Sequence, residues 1–171
     1  MQTLIALLRA VNVGGTGKLP MAELRAMADA AGLADVRTYI QSGNLVCRSS
    51  DPPETVKSSL EARLAAYAGK AVDVFVRSSQ EIGQIIDTNP FADSDPKRLG
   101  VLFLDVPAEP AMVADLKGQK DERVVCGVRE IYIHYPSGMG TSKLQLPNVP
   151  VATMRNLNTV RRLAEMAAGD A

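Results

Sequence analysis

At 171 residues, with 46% hydrophobic and 22% charged residues, the chain can bury one large core or the shared core of two small halves. Lys+Arg and Asp+Glu both number 19, and zero net charge weighs against a general nucleic-acid coat, which is usually basic; a local basic patch stays open. One His and two Cys offer no metal-ligand spacing, and no apolar run reaches membrane-spanning length.

The N-terminus runs Met1-Gln2-Thr3-Leu4-Ile5-Ala6-Leu7-Leu8-Arg9, without the basic lead-in of a signal peptide. Cys47 and Cys126 fall in strand-like segments far apart in sequence. The expectation is a cytoplasmic protein with reduced, buried thiols. Leu4–Leu8 reads as a central strand. The glycine-rich stretch Asn12-Val13-Gly14-Gly15-Thr16-Gly17-Lys18 follows, and Pro20 opens a helix. Met21, Leu24, Met27, Ala28 and Ala31 form its apolar stripe, and Gly32 ends it.

Val36–Gln41 alternates as a strand, a turn of Ser42, Gly43 and Asn44 supplies residues that tolerate positive φ, and Asn44–Arg48 returns. Asp51-Pro52-Pro53-Glu54 predicts a helix capped by Asp51, with Val56, Leu60, Leu64 and Tyr67 as the buried stripe and Gly69 as the stop. Ala71–Arg77 is a strand. Residues 1–77 therefore read β-α-β-β-α-β, a ferredoxin-like half. Residues 78–98 carry a short helix with Ile82, Ile85 and Ile86, broken at Asn89-Pro90, and then a polar linker. Residues 99–171 resume the pattern. Leu99–Val106 is a strand, Pro110–Lys117 a helix stopped by Gly118, and Arg123–Val128 with Glu130–Tyr135 a second hairpin. The Gly- and Pro-rich loop 136–151 follows, long enough to act as a lid. Thr153 caps a final helix running to about Ala168. This second half reads β-α-β-β-α, without a clear last strand. The fold class is α+β, with two ferredoxin-like halves, antiparallel-rich sheets and helices packed on them; element order alone carries the duplication.

Topology then places chemistry. In a β-α-β-β-α-β unit, the loop after the first strand, the hairpin turn and the Gly69-Lys70 connection share one end of the sheet. That end collects Arg9, Asn12, Gly14, Gly15, Gly17, Lys18, Ser42, Asn44 and Lys70: backbone amides, cations and small polar groups suited to an anion. It is not a nucleoside-triphosphatase loop. Counting back from Gly17-Lys18, the first required glycine falls on Asn12, and Leu19 stands where Ser or Thr would hold Mg²⁺. A plain reversing turn remains the bland alternative, and for Ser42-Gly43-Asn44 alone it is the better one.

The motifs Leu7-Leu8-Arg9-Ala10-Val11-Asn12-Val13-Gly14-Gly15, Val36-Arg37-Thr38-Tyr39-Ile40-Gln41-Ser42-Gly43-Asn44 and Thr153-Met154-Arg155-Asn156-Leu157-Asn158-Thr159 resemble a mainly bacterial family catalogued only as a domain of unknown function, number 1697. The resemblance spans nearly the whole chain. It implies two related ferredoxin-like halves and no activity. Ala10 stands where glycine is usual there, and Leu157 where tryptophan is usual. Were that tryptophan a ligand contact, its absence would weaken binding at 157; were it core, leucine is a smaller filler.

On the final helix, Arg155, Asn158, Thr159 and Arg162 share the face opposite Leu157, Val160, Ala164 and Ala167. A solvated face is the simple account; Arg155 and Asn158, with Lys143 in the preceding loop, are candidates to close over a ligand. His134 reads as a packing or surface residue, and Asp73 and Asp105 as exposed. The functional expectation is binding of a small phosphorylated or anionic ligand, a nucleotide among the candidates, through Arg9, Lys18 and Lys70 with the Gly14–Gly17 amides. Two alternatives remain. One is an RNA or single-strand nucleic-acid module using Tyr39, Phe75, Tyr132 and Tyr135, which the scarcity of aromatics disfavours. The other is a structural or regulatory module acting through homodimer contacts at sheet edges. No nucleophile–base pair and no cofactor fingerprint can be assigned.

Overall fold

The computed structural model describes residues 1–13 and 17–169. Its strands form two four-stranded antiparallel sheets, and the helices pack on them as an α+β fold in two halves. The first half runs β1 (Gln2–Leu8), α1 (Met21–Ala30), β2 (Ala34–Thr38), β3 (Asn44–Ser49), α2 (Pro53–Ala68), β4 (Val74–Ser78) and α3 (Ser79–Asp87). The second runs β5 (Leu99–Leu104), β6 (Arg123–Cys126), β7 (Glu130–His134), β8 (Ala152–Asn156) and α4 (Leu157–Ala167). By compactness the chain divides into Met1–Ile82 with Leu163–Ala171, and Gly83–Arg162.

The strand orders are β2-β3-β1-β4 and β6-β7-β5-β8, so the two sheets repeat one topology. In the first, period-two alternation sends Leu4, Ala6, Leu8, Leu45, Cys47, Val74 and Val76 to the face covered by Leu24 and Ala28 of α1 and Val56, Leu60 and Leu64 of α2. The other face carries Ile5, Leu7, Val46, Phe75 and Arg77, all buried as well. In the second sheet, Leu104, Ile131 and Ile133 pack with Met112 and Tyr135.

Burial of polar side chains reveals a closer repeat than element order alone. Leu8 pairs with Val74 and Leu104 with Ala152, which sets Arg77 of β4 in the same register as Arg155 of β8. Both arginines are buried, and both are followed by a helix cap. Ser78 Oγ accepts from Glu81 N at 3.1 Å while Glu81 Oε2 accepts from Ser78 N at 2.7 Å, a reciprocal capping box for α3. Asn156 Oδ1 accepts from Thr159 N at 2.9 Å and caps α4.

Several expectations need correction. The final helix is not capped by Thr153. Residues 152–156 are instead the missing last strand β8, whose inward positions are the polar Thr153 and Arg155, so no apolar alternation advertises it. Arg155 consequently lies on a strand, away from the helical face assigned to it. The segment expected as a helix over Pro110–Lys117 is a single 3-10 turn, Pro110–Val113, ended by extended Ala114 and left-handed Asp115. Asp51 does not cap α2; Pro52 occupies the cap position, with no side-chain bond. Tyr67, expected in the buried stripe of α2, is 48% exposed. Loop 136–151 is tied down. Lys117 and Gln145 exchange backbone bonds at 3.0 and 2.8 Å, and Leu144, Leu146 and Val149 pack against the second core. A segment so held is poorly suited to be a lid.

Candidate functional site

The C-terminal end of β1 leads into a loop with left-handed residues at Ala10 and Asn12. Leu8 N donates to Gly43 O at 2.9 Å, and Arg9 N donates to Asp73 O at 2.9 Å, so the chain leaving β1 touches both the hairpin and the entry to β4. Asn12 then ties the loop together. Its Oδ1 accepts from Leu19 N at 2.6 Å, and its Nδ2 donates to Leu19 O and Gln41 O, each at 2.8 Å. One side chain thus joins both ends of the glycine-rich loop to the β2–β3 hairpin.

Gly43 completes that junction. Its φ is +88°, and a Cβ there would lie 2.6 Å from Val11 Cγ2 and 2.8 Å from Leu8 Cβ. Only glycine fits both the conformation and the gap. Of the non-glycine residues with left-handed φ among those described, Ala10, Asn12 and Ile40 belong to this loop and hairpin. Ile40 is β-branched and exposed, an unfavourable choice for φ 47°. Such strain persists only where surrounding structure enforces it.

Between this loop and the end of α2 lies a cavity of about 300 Å³. Val11, Leu19, Leu64 and Val72 give it an apolar floor, Tyr67 a wall, and Lys18 and Lys70 its cations. Asn12 and Gly17 also line it. Arg9 lies nearby in sequence, but its guanidinium sits 3.9 Å from Asp73 in an exposed ion pair. Ser42 and Asn44 do not line the cavity. Asn44 pairs with Leu7 in the sheet register and so shares the face opposite the helices, where it is fully buried. Its Nδ2 donates to Tyr39 O at 3.0 Å and Ser42 Oγ at 2.9 Å. Asn44 and Ser42 thus shape the hairpin rather than offer polar groups to the cavity. Gly14 and Gly15 lie outside the described residues.

The remaining candidates belong to the second unit. Lys143 is exposed and lines a cavity of about 410 Å³ together with Glu122, Ser137, Thr141 and Ser142 among others. Glu122 accepts from Ser142 Oγ and, at 2.7 Å, from Lys120 N; these bonds hold its carboxyl below the usual carboxylate range. Arg155 donates to Thr153 Oγ1 at 2.8 Å and to Met154 O at 3.0 Å, and burial pulls its guanidinium down to about 10. Asn158 is exposed on α4, and Leu157 is buried, so position 157 is a core position in this chain. His134 stacks on Phe91, with ring centroids 5.4 Å apart. Among the described residues no group of three or more His, Cys, Asp or Glu could hold a metal, and no helix is long and apolar enough to cross a membrane.

Tyr67 is the cavity residue the sequence concealed. It continues the α2 stripe by spacing, but in the last turn of the helix it is exposed where Leu60 and Leu64 are buried.

No curated protein matches the chain. It is similar in structure to the conserved bacterial protein SP0830 from Streptococcus pneumoniae, with a TM-score of 0.78 at 26% sequence identity, covering 97% of this chain and 98% of that one. The family described as "Protein of unknown function (DUF1697)" matches residues 1–132, and on that match the chain belongs to the DUF1697 family.

Proposed function

We propose that the cavity between the β1–α1 loop and the end of α2 binds a small phosphorylated or otherwise anionic ligand. One observation carries the reading: a concave site of about 300 Å³, with Lys18 and Lys70 on its lining, sits beside the left-handed residues Ala10 and Asn12. That volume is at the lower end for small-molecule sites and suits a compact ligand. The C-terminus of α2 brings partial negative charge to the same end, and the two lysines must outweigh it. Asn12 and Gly43 act as positioning residues that hold the loop against the hairpin. Arg9 is partnered by Asp73, which offsets its charge, so it is not assigned a contact.

The test is a thermal-shift and calorimetric screen of the intact chain with ribose 5-phosphate, pyrophosphate and nucleotides. A ligand that binds only the native state raises the melting temperature. The expected result is saturable binding that weakens at least tenfold in Lys18→Ala/Lys70→Ala. Binding unchanged in that variant would remove the proposal. Base stacking on the sheets is disfavoured, since Phe75, Tyr132 and Tyr135 are buried and the half-buried Tyr39 alone makes no platform. The reading assigns binding and no reaction.

A further inference from the structure

Two chemically different surfaces meet in the cavity, and together they define a ligand class. Its polar lining, Lys18 and Lys70 with Asn12 and Gly17, suits an anion; the rest of its lining does not. Leu64, Val11 and Leu19 are apolar and buried, Val72 is half-buried, and Tyr67 stands 48% exposed at the same site. A sugar phosphate or inorganic phosphate would leave the exposed Tyr67 uncovered. A ligand with a flat apolar ring at one end and a phosphate at the other would cover both. About 300 Å³ leaves room for one ring system, one sugar and one phosphate, and not for a dinucleotide.

We infer that the ligand is a nucleoside monophosphate, its base against Tyr67 and its phosphate toward Lys18 and Lys70. This rests on the anion-binding reading above and narrows it. Stacking on an aromatic side chain is tolerant of base identity, because every base presents a π-face, so purine and pyrimidine monophosphates should both bind.

The experiment compares AMP, UMP, ribose 5-phosphate and octyl phosphate by calorimetry, on the wild-type chain and on Tyr67→Ala, Tyr67→Phe and Lys18→Ala/Lys70→Ala. Melting temperatures establish that each variant folds; Tyr67 is half exposed at a helix end, where alanine is well tolerated. The expected result is AMP and UMP binding about tenfold or more tighter than ribose 5-phosphate, with the gap lost in Tyr67→Ala and kept in Tyr67→Phe. If ribose 5-phosphate or octyl phosphate binds as tightly as AMP, and all are lost in the lysine variant, the nucleotide inference is overturned while the anion reading stands. If none of the four binds, both are overturned.

Discussion

Replacing Gly43 by alanine probes the junction on which the site is built. Gly43 O accepts from Leu8 N at 2.9 Å, φ is +88°, and the added methyl would lie 2.6 Å from Val11 Cγ2 and 2.8 Å from Leu8 Cβ. The left-handed conformation costs an L-residue about 1–2 kcal/mol, partly offset by about 0.4–1 kcal/mol from a stiffer unfolded chain. The two clashing atoms are a stiff β-branched methyl and a Cβ, neither the far end of a flexible side chain. Relieving them means moving backbone, and overpacking of this kind costs about 1–3 kcal/mol. The sum is a loss of about 1–4.6 kcal/mol, centred on about 3 kcal/mol. Gly32→Ala is the matched control: φ is +82°, but nothing lies within 4 Å of the added methyl, so the expected loss is only about 1 kcal/mol. Urea denaturation of both variants, followed by circular dichroism, separates the steric part from the conformational part. Equal losses in the two variants would refute the interlock between loop and hairpin.

Four further outcomes follow from the same geometry. Ala10→Gly, at φ 54°, should stabilise the chain by about 0.5–1 kcal/mol, read as a higher urea midpoint; a lower midpoint contradicts the backbone described for that loop. Asn44→Ala should cost about 1–3 kcal/mol by removing the bonds from its buried amide to Tyr39 O and Ser42 Oγ, whereas a loss below about 0.5 kcal/mol would place Asn44 at the surface. Burial pushes the Cys47 thiol up to about 11 from 9.0, so the folded chain keeps it neutral. A raised folded value means stability that is complete below pH 9 and lost as pH climbs through about 11. Wild type should therefore lose about 2–3 kcal/mol more than Cys47→Ala over that interval, and parallel pH profiles would refute it. Ser142→Ala should raise the Glu122 carboxyl in a carbon-detected NMR titration, since that hydroxyl is the largest cause of its lowering; an unmoved titration would break the assignment.

The first half was legible because each element carries a strong local signal. The Leu4–Leu8 run, the stripe of α1, the Gly69 stop of α2 and the hairpin glycine all agree with one topology, and that topology brings the β1 loop and the hairpin to one end of the sheet. What stayed hidden lies where polar groups are buried or apolar groups exposed. β8 has Thr153 and Arg155 facing inward, so periodicity read it as the start of a helix. The repeat of Arg77-Ser78 with Arg155-Asn156 becomes visible only once register aligns the strands. Asn44 looks like a binding residue by type and neighbourhood, yet strand parity turns it to the far face. Asn12 satisfies three backbone groups across the loop and hairpin, a role that spacing alone does not announce.

The most direct test of a binding site at this end of the sheet is an amide chemical-shift titration of the wild-type chain with AMP. The account predicts saturable shifts concentrated at residues 10–12, 17–19 and 67–72, with an affinity that falls as salt is added. Shifts that are absent at millimolar AMP, or that gather instead around Glu122, Ser142 and Lys143, would contradict it.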